Sequence, residues 1–154
     1  MKTTDTATLP TPMGTNRRFS LTYQTEAPPA AVWRVWAAVA NWKDWDLGLA
    51  DGESDGPLQL GTTGTITALN GRRTPFIISA FEDGTGYTIK TKLILSDLYV
   101  RRTLQATPKG TAFTHDVWFE GFTAGLFARF LGPQFRTLLP QSMQRIREIA
   151  TAKS

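Results

Sequence analysis

Between Gly61 and Gly121 the chain runs through five strand-like segments: Gly64 to Leu69, Pro75 to Phe81, Tyr87 to Leu93, Leu98 to Thr107 and Thr111 to Gly121. Turn signals separate them at Asn70-Gly71, Asp83-Gly84, Leu95-Ser96 and Pro108-Lys109, the pattern of an antiparallel meander. The next segment, Thr123 to Ser154, changes period. Leu126, Phe127, Phe130, Leu131, Phe135, Leu138, Leu139, Met143, Ile146 and Ile149 recur at spacings of three and four, which predicts an amphipathic helix. Gly132-Pro133 and Pro140 are expected to break or kink it.

Ahead of the meander, Phe19, Leu21 and Tyr23 alternate within Arg17 to Thr25 and predict a half-buried strand. Pro28-Pro29 then opens a helix over Ala30 to Ala40, where the first amide needs no partner. Asn41 to Asp46 reads as a second, shorter helical turn, and the glycine-rich, acidic stretch Leu47 to Pro57 as an exposed loop. The Thr- and Pro-rich residues 1–16 lack the apolar core of a secretory signal and read as a disordered leader. A single domain over 17–151 is expected, in a cytoplasmic protein.

The absence of cysteine excludes disulfide scaffolds, thiolate zinc sites and thiol nucleophiles. The formal charge of +4 is unevenly spread, −4 over 41–60 and +4 over 123–154, so the chain is dipolar. It lacks the dense basic stripe with interleaved aromatics of a nucleic-acid binder, and no nucleic-acid partner is expected. No apolar run approaches the length that spans a bilayer, so no integral membrane association is expected. Gly61, Gly64, Gly84 and Gly86 sit at hairpin turns and do not join a strand to a helix, which argues against a nucleotide cofactor. With one histidine and an acidic loop too short for an EF-hand, no metal is expected either.

A two-residue turn at Pro108-Lys109 sets Leu104 opposite Phe113, Arg102 opposite His115, Val100 opposite Val117 and Leu98 opposite Phe119. The other face then carries Arg101 with Asp116, Thr103 with Thr114 and Tyr99 with Trp118. The same construction sets Ile89 opposite Arg102, Thr91 opposite Val100, Ala80 opposite Tyr87 and Ile78 opposite Ile89. One face therefore joins Phe76, Ile78, Ala80, Tyr87, Ile89, Val100, Leu104, Phe113 and Val117 around an arginine and the chain's only histidine. An unpartnered buried guanidinium is costly, so a cavity holding water or ligand between sheet and helix would resolve the conflict. The alternative is structural: Arg102 reaches the sheet rim or meets a carboxylate, and His115 is a hydrogen-bonded core residue.

The segment Pro29-Ala30-Ala31-Val32-Trp33, continued by Trp42-Lys43-Asp44-Trp45, resembles the P-x-x-V-W and W-x-x-W opening of START-like (SRPBCC) proteins, closest to their polyketide cyclase/dehydrase branch. Gly61 with Gly64, Gly110-Thr111, Thr114-His115 and Gly121 are similar to that pattern too, while Lys43 stands where proline is frequent. The resemblance implies an α+β helix-grip fold: about seven antiparallel strands wrapped around the long C-terminal helix, with an apolar cavity between. On that picture Phe127, Phe130, Phe135 and Leu139 become candidates for the helical wall. Trp42 and Trp45 read as packing anchors, and either Trp33 or Trp36, here taken as Trp36, lines the cavity.

The function expected is binding of a small hydrophobic molecule or lipid. A polyketide cyclase/dehydrase-like activity would use His115 as general acid or base and Arg102 to stabilise an enolate, phenolate or carboxylate, with Tyr87 adding a hydrogen bond. The alternatives are a non-catalytic carrier, with Arg102 on an acidic head group, and a co-chaperone-like interaction module using Tyr99 and Trp118.

Overall fold

A computed structural model describes residues 9–152. Its eight strands form one antiparallel sheet in the order β1-β2-β8-β7-β6-β5-β4-β3. They are β1 (Met13–Gly14), β2 (Arg18–Thr25), β3 (Leu49–Ser54), β4 (Thr63–Ala68), β5 (Arg73–Glu82), β6 (Gly86–Leu93), β7 (Ser96–Thr107) and β8 (Gly110–Gly121). Two helices, α1 (Pro29–Ala37) and α2 (Ala124–Ala152), and a 3-10 turn over Val39–Asp44 complete the fold. This is the α+β helix-grip architecture, with α2 packed on β2, β7, β8 and α1.

Two of the eight strands lie where none was expected. β3 runs through the acidic stretch taken for a loop and pairs with β4, its Gly52 buried against Val39 and Trp42. Composition hid it because β3 is an edge strand, and charged residues at an edge are common. Within the expected leader, Met13 and Gly14 pair with Ser20 and Phe19, so the ordered path starts before residue 17; residues 1–8 lie outside the described residues.

α1 starts with Pro29, and the carbonyl of Pro28 accepts the amide of Ala31 at 2.9 Å, the start expected where proline supplies no donor. α2 is not broken: it runs as one element over Ala124–Ala152 with Pro133 and Pro140 inside. Pro140 is buried, and its carbonyl accepts the Tyr23 hydroxyl at 2.9 Å. Packing against β2 and β8 outweighs the backbone amide that each proline lacks.

The β7–β8 register is the expected one, with Arg102 opposite His115 and Val100 opposite Val117. The β6–β7 register differs by two residues. Its turn residues are Ile94 and Leu95, so Tyr87, and not Ile89, stands opposite Arg102, and Ile89 faces Val100. Leu95 has φ 61°, a conformation bulky residues avoid, so nothing in the residue types marks the turn there. Between β5 and β6, Ile78 pairs with Ile89 as expected, but a bulge before Ala80 sets Ala80 opposite Thr88 and Phe81 opposite Tyr87. Ala80 is consequently exposed and does not belong to the inner face.

Candidate functional site

Across the inner face, Leu21 of β2, His115 of β8, Arg102 of β7 and Tyr87 of β6 form one row of directly paired residues. Arg102 is 4% exposed and His115 2%. The guanidinium is held on three sides: its Nη1 donates to the Tyr87 hydroxyl at 2.8 Å, and the Trp42 and Trp45 rings lie 4.8 and 4.7 Å from its central carbon. Tyr87 in turn donates to the carbonyl of Trp36 at 2.8 Å, which also accepts Trp42 Nε1 at 2.8 Å. That carbonyl is among the last of α1 and has no helical partner, so two side chains complete it. The end of α1, the 3-10 turn and β6 are thereby locked around one cation.

The lock is incomplete. Arg102 Nε, His115 Nε2 and Trp45 Nε1 are buried with no hydrogen-bond partner. All three residues line a cavity of about 140 Å³ between the sheet and the middle of α2. Its other walls are mainly apolar, with Leu49, Ile66, Ile89, Leu98, Phe135 and Leu139 among them. A space of this size takes a ring-sized apolar molecule. Buried polar atoms are nearly always partnered, and here three unpartnered ones gather at a single cavity.

Asp46 lines the same cavity, at the end of the 3-10 segment, and its Oδ1 accepts the amide of Gly48 at 3.0 Å. Burial raises its pKa above the ordinary carboxylate value, opposed by the nearby Arg102 and the Gly48 amide. The His115 pKa is pushed well below 6.5, first by burial and then by Arg102. His115 is therefore neutral at physiological pH, which removes the imidazolium that a general acid would need and leaves a proton acceptor or neutral donor. Burial also raises the Tyr87 pKa, so its hydroxyl keeps its proton.

Of the expected cavity residues, Arg102, His115, Ile89, Val100, Val117, Phe135 and Leu139 line it. Trp36, Phe76, Ile78, Tyr87, Leu104 and Phe113 are packed in the core behind it, and Phe127 packs at the core's margin. Phe130 is 69% exposed and points away from the sheet, because the helical stripe is narrower than the run of apolar residues on α2. Trp42 and Trp45, expected as packing anchors, line the cavity and face Arg102 as well as filling the core. Asp46 and Ser142 were not anticipated. Ser142 Oγ accepts the amide of Leu47 at 3.2 Å and ties α2 to the chain leaving the 3-10 segment. The W-x-x-W spacing was the one signal for Asp46, since it follows the second tryptophan directly.

The sequence profile of a family described as polyketide cyclase/dehydrase and lipid transport matches residues 16–150. The chain belongs to that family. Solved structures similar to it include protein MLL2253 from Mesorhizobium loti, 18% identical over 90% of this chain and 99% of that one, with a TM-score of 0.72. Ara h 8.0201 is 14% identical, covering 88% and 97%, with a TM-score of 0.67. DynU16, from the dynemicin biosynthetic locus, is 14% identical with a TM-score of 0.69, covering 90% of this chain and 48% of its own. At these identities the likeness is one of fold. No curated protein matches the chain in sequence.

Proposed function

We propose that this family member binds a small hydrophobic molecule carrying one acidic oxygen, such as a carboxylate, phenolate or enolate. One observation carries the reading: a buried guanidinium with a free Nε beside a neutral imidazole with a free Nε2, both at an apolar, ring-sized cavity. An oxyanion on Arg102 Nε supplies a counter-charge in direct contact: Asp46 lines the same cavity and acts on Arg102 through space, but no carboxylate among the described residues lies within ion-pair distance of the guanidinium. Charge-assisted hydrogen bonds of this kind are roughly twice as strong as neutral ones. Titration with salicylate and with salicylamide, its neutral counterpart, tests the reading. The acid binds at least about tenfold more tightly if a desolvated charge pair forms. Equal affinities, or discrimination that survives in Arg102→Met, overturn it.

A catalytic use of the same site is the second reading, favoured by the direct pairing of His115 with Arg102. A neutral imidazole accepts a proton from a carbon flanked by carbonyls while the guanidinium holds the enolate oxygen that forms, the step required for aldol cyclisation of a poly-β-keto chain. Turnover of such a substrate would be lost in both Arg102→Met and His115→Gln; turnover retained in both refutes these roles. The interaction-module reading has less behind it. Tyr99 and Trp118 stack on each other at 5.1 Å, and Arg18 and Arg101 cover the indole, leaving Trp118 only 9% exposed.

A further inference from the structure

Five large apolar side chains are left uncovered at one end of the molecule. Ile94 and Leu95 form the tip of the β6–β7 hairpin, Phe122 precedes α2, and Leu126 and Phe130 follow on one side of the helix at steps of four. The tip and the helix start are joined: the amide of Phe122 donates to the Leu95 carbonyl at 2.9 Å, and the Thr123 hydroxyl bonds the Ile94 carbonyl and Ser96 Oγ. Phe122 is 90% exposed, so the group protrudes and encloses no groove. Leu95 occupies the left-handed region, φ 61°, where glycine or asparagine is the unstrained choice. A bulky apolar residue kept at a strained, solvated turn tip points to a role for the side chain outside the fold.

The surrounding charge narrows what covers this tip. From Gly121 through Arg147 the chain contains no acidic residue, and α2 has none in its first turn. Exposed Arg129 lies between Leu126 and Phe130, and Arg17 Nη1 sits beside Gly125 in the first turn, where the helix dipole is already positive. The flanking carboxylates, Asp97 and Glu120, two residues from Leu95 and Phe122, pair with each other on the sheet's outer face, where Glu120 accepts Trp118 Nε1 at 2.8 Å. A second copy docking by a two-fold axis would bring together two copies of this arginine-bearing end.

We infer that this end of the protein docks on an anionic phospholipid surface, with Phe122, Leu95 and Leu126 entering the interface and Arg17 and Arg129 at the head groups. The inference is independent of the cavity's ligand: it concerns where the protein sits, not what the cavity holds.

Sedimentation of the full chain with phosphatidylcholine vesicles, with and without phosphatidylglycerol, tests it. Binding is expected only with phosphatidylglycerol, weakened by salt, and reduced about tenfold or more in Phe122→Ser combined with Leu126→Ser. Both positions are exposed, so urea unfolding of that variant stays unchanged, and Leu60→Ser, at an exposed leucine elsewhere, binds as the parent does. Leu95→Gly unfolds at higher urea and binds more weakly, because the strain and the anchor leave together. Absence of binding to either vesicle, binding indifferent to the Phe122 and Leu126 changes, or self-association that those changes abolish would each overturn the inference.

Discussion

Replacing Arg102 by methionine separates a residue kept for a ligand from one kept for the fold. In the folded protein the guanidinium is buried, makes one side-chain hydrogen bond, to the Tyr87 hydroxyl, and rests on two indole faces. Its loss removes one charge-assisted bond, about 1.5–3 kcal/mol, and two cation–π contacts of about 0.5–2 kcal/mol each. It also removes a charge taken out of water with Nε unpaired, a desolvation cost of several kcal/mol. Tyr87 is not orphaned, since it still donates to the Trp36 carbonyl. The balance puts Arg102→Met within about 2 kcal/mol of the parent, because the desolvation cost disappears while Asp46 loses the attraction of the guanidinium. Urea unfolding reads this directly, and the thermal midpoint should move by no more than a few degrees, at about 2–4 °C per kcal/mol for a chain of this length. Salicylate binding should fall at least about tenfold in the same variant. A destabilisation of about 3 kcal/mol or more would refute the reasoning, because that is the signature of a satisfied structural cation losing its place.

Tyr87→Phe leaves Arg102 with no side-chain hydrogen bond and the Trp36 carbonyl with one donor in place of two, and should cost about 1–3 kcal/mol in urea unfolding. His115 is the one histidine, and its folded pKa lies below the unfolded value of about 6.5, so the unfolded chain binds the proton first. Stability is then fully present above about pH 6.5 and lost as pH falls below it, by up to about 1.4 kcal/mol per pH unit, and His115→Gln should lack that component. The single imidazole NMR signal should not titrate near pH 6.5; a normal titration there would contradict its burial. Asp46 has the opposite sign, a folded pKa raised above 3.8, so its charged form weakens the fold at neutral pH. Asp46→Asn should stabilise the protein at neutral pH, with the advantage fading in acid, as followed by unfolding at both. Gly64→Ala would place a methyl group into the Phe76 ring and the Glu53 carbonyl, and a loss of about 1–3 kcal/mol is expected.

Much of the sheet was legible because its signals are local. Alternation and the Pro108-Lys109 turn were enough to pair Arg102 with His115. The shift at β6–β7 was not, because the turn falls on Ile94 and Leu95, residues whose types argue against a turn. That shift of two residues matters chemically: it brings Tyr87, not Ile89, to Arg102 and gives the guanidinium its one side-chain hydrogen bond. Asp46 and Ser142 carried no such local signal, since each reaches the cavity through a segment whose path depends on the rest of the fold.

The sequence by itself determined the antiparallel meander, the amphipathic C-terminal helix and the presence of one arginine and one histidine on an apolar face, because period, turn chemistry and charge act between near neighbours. Only the tertiary structure decided that α2 passes through two prolines unbroken, that an acidic stretch becomes an edge strand, and that Trp42, Trp45 and Asp46 gather around Arg102. Those outcomes depend on contacts between residues far apart in the chain, where burial against a partner surface outweighs local propensity. The unpaired Nε of Arg102 belongs to that second kind: only the packed interior shows which hydrogen bonds a buried cation has been left without.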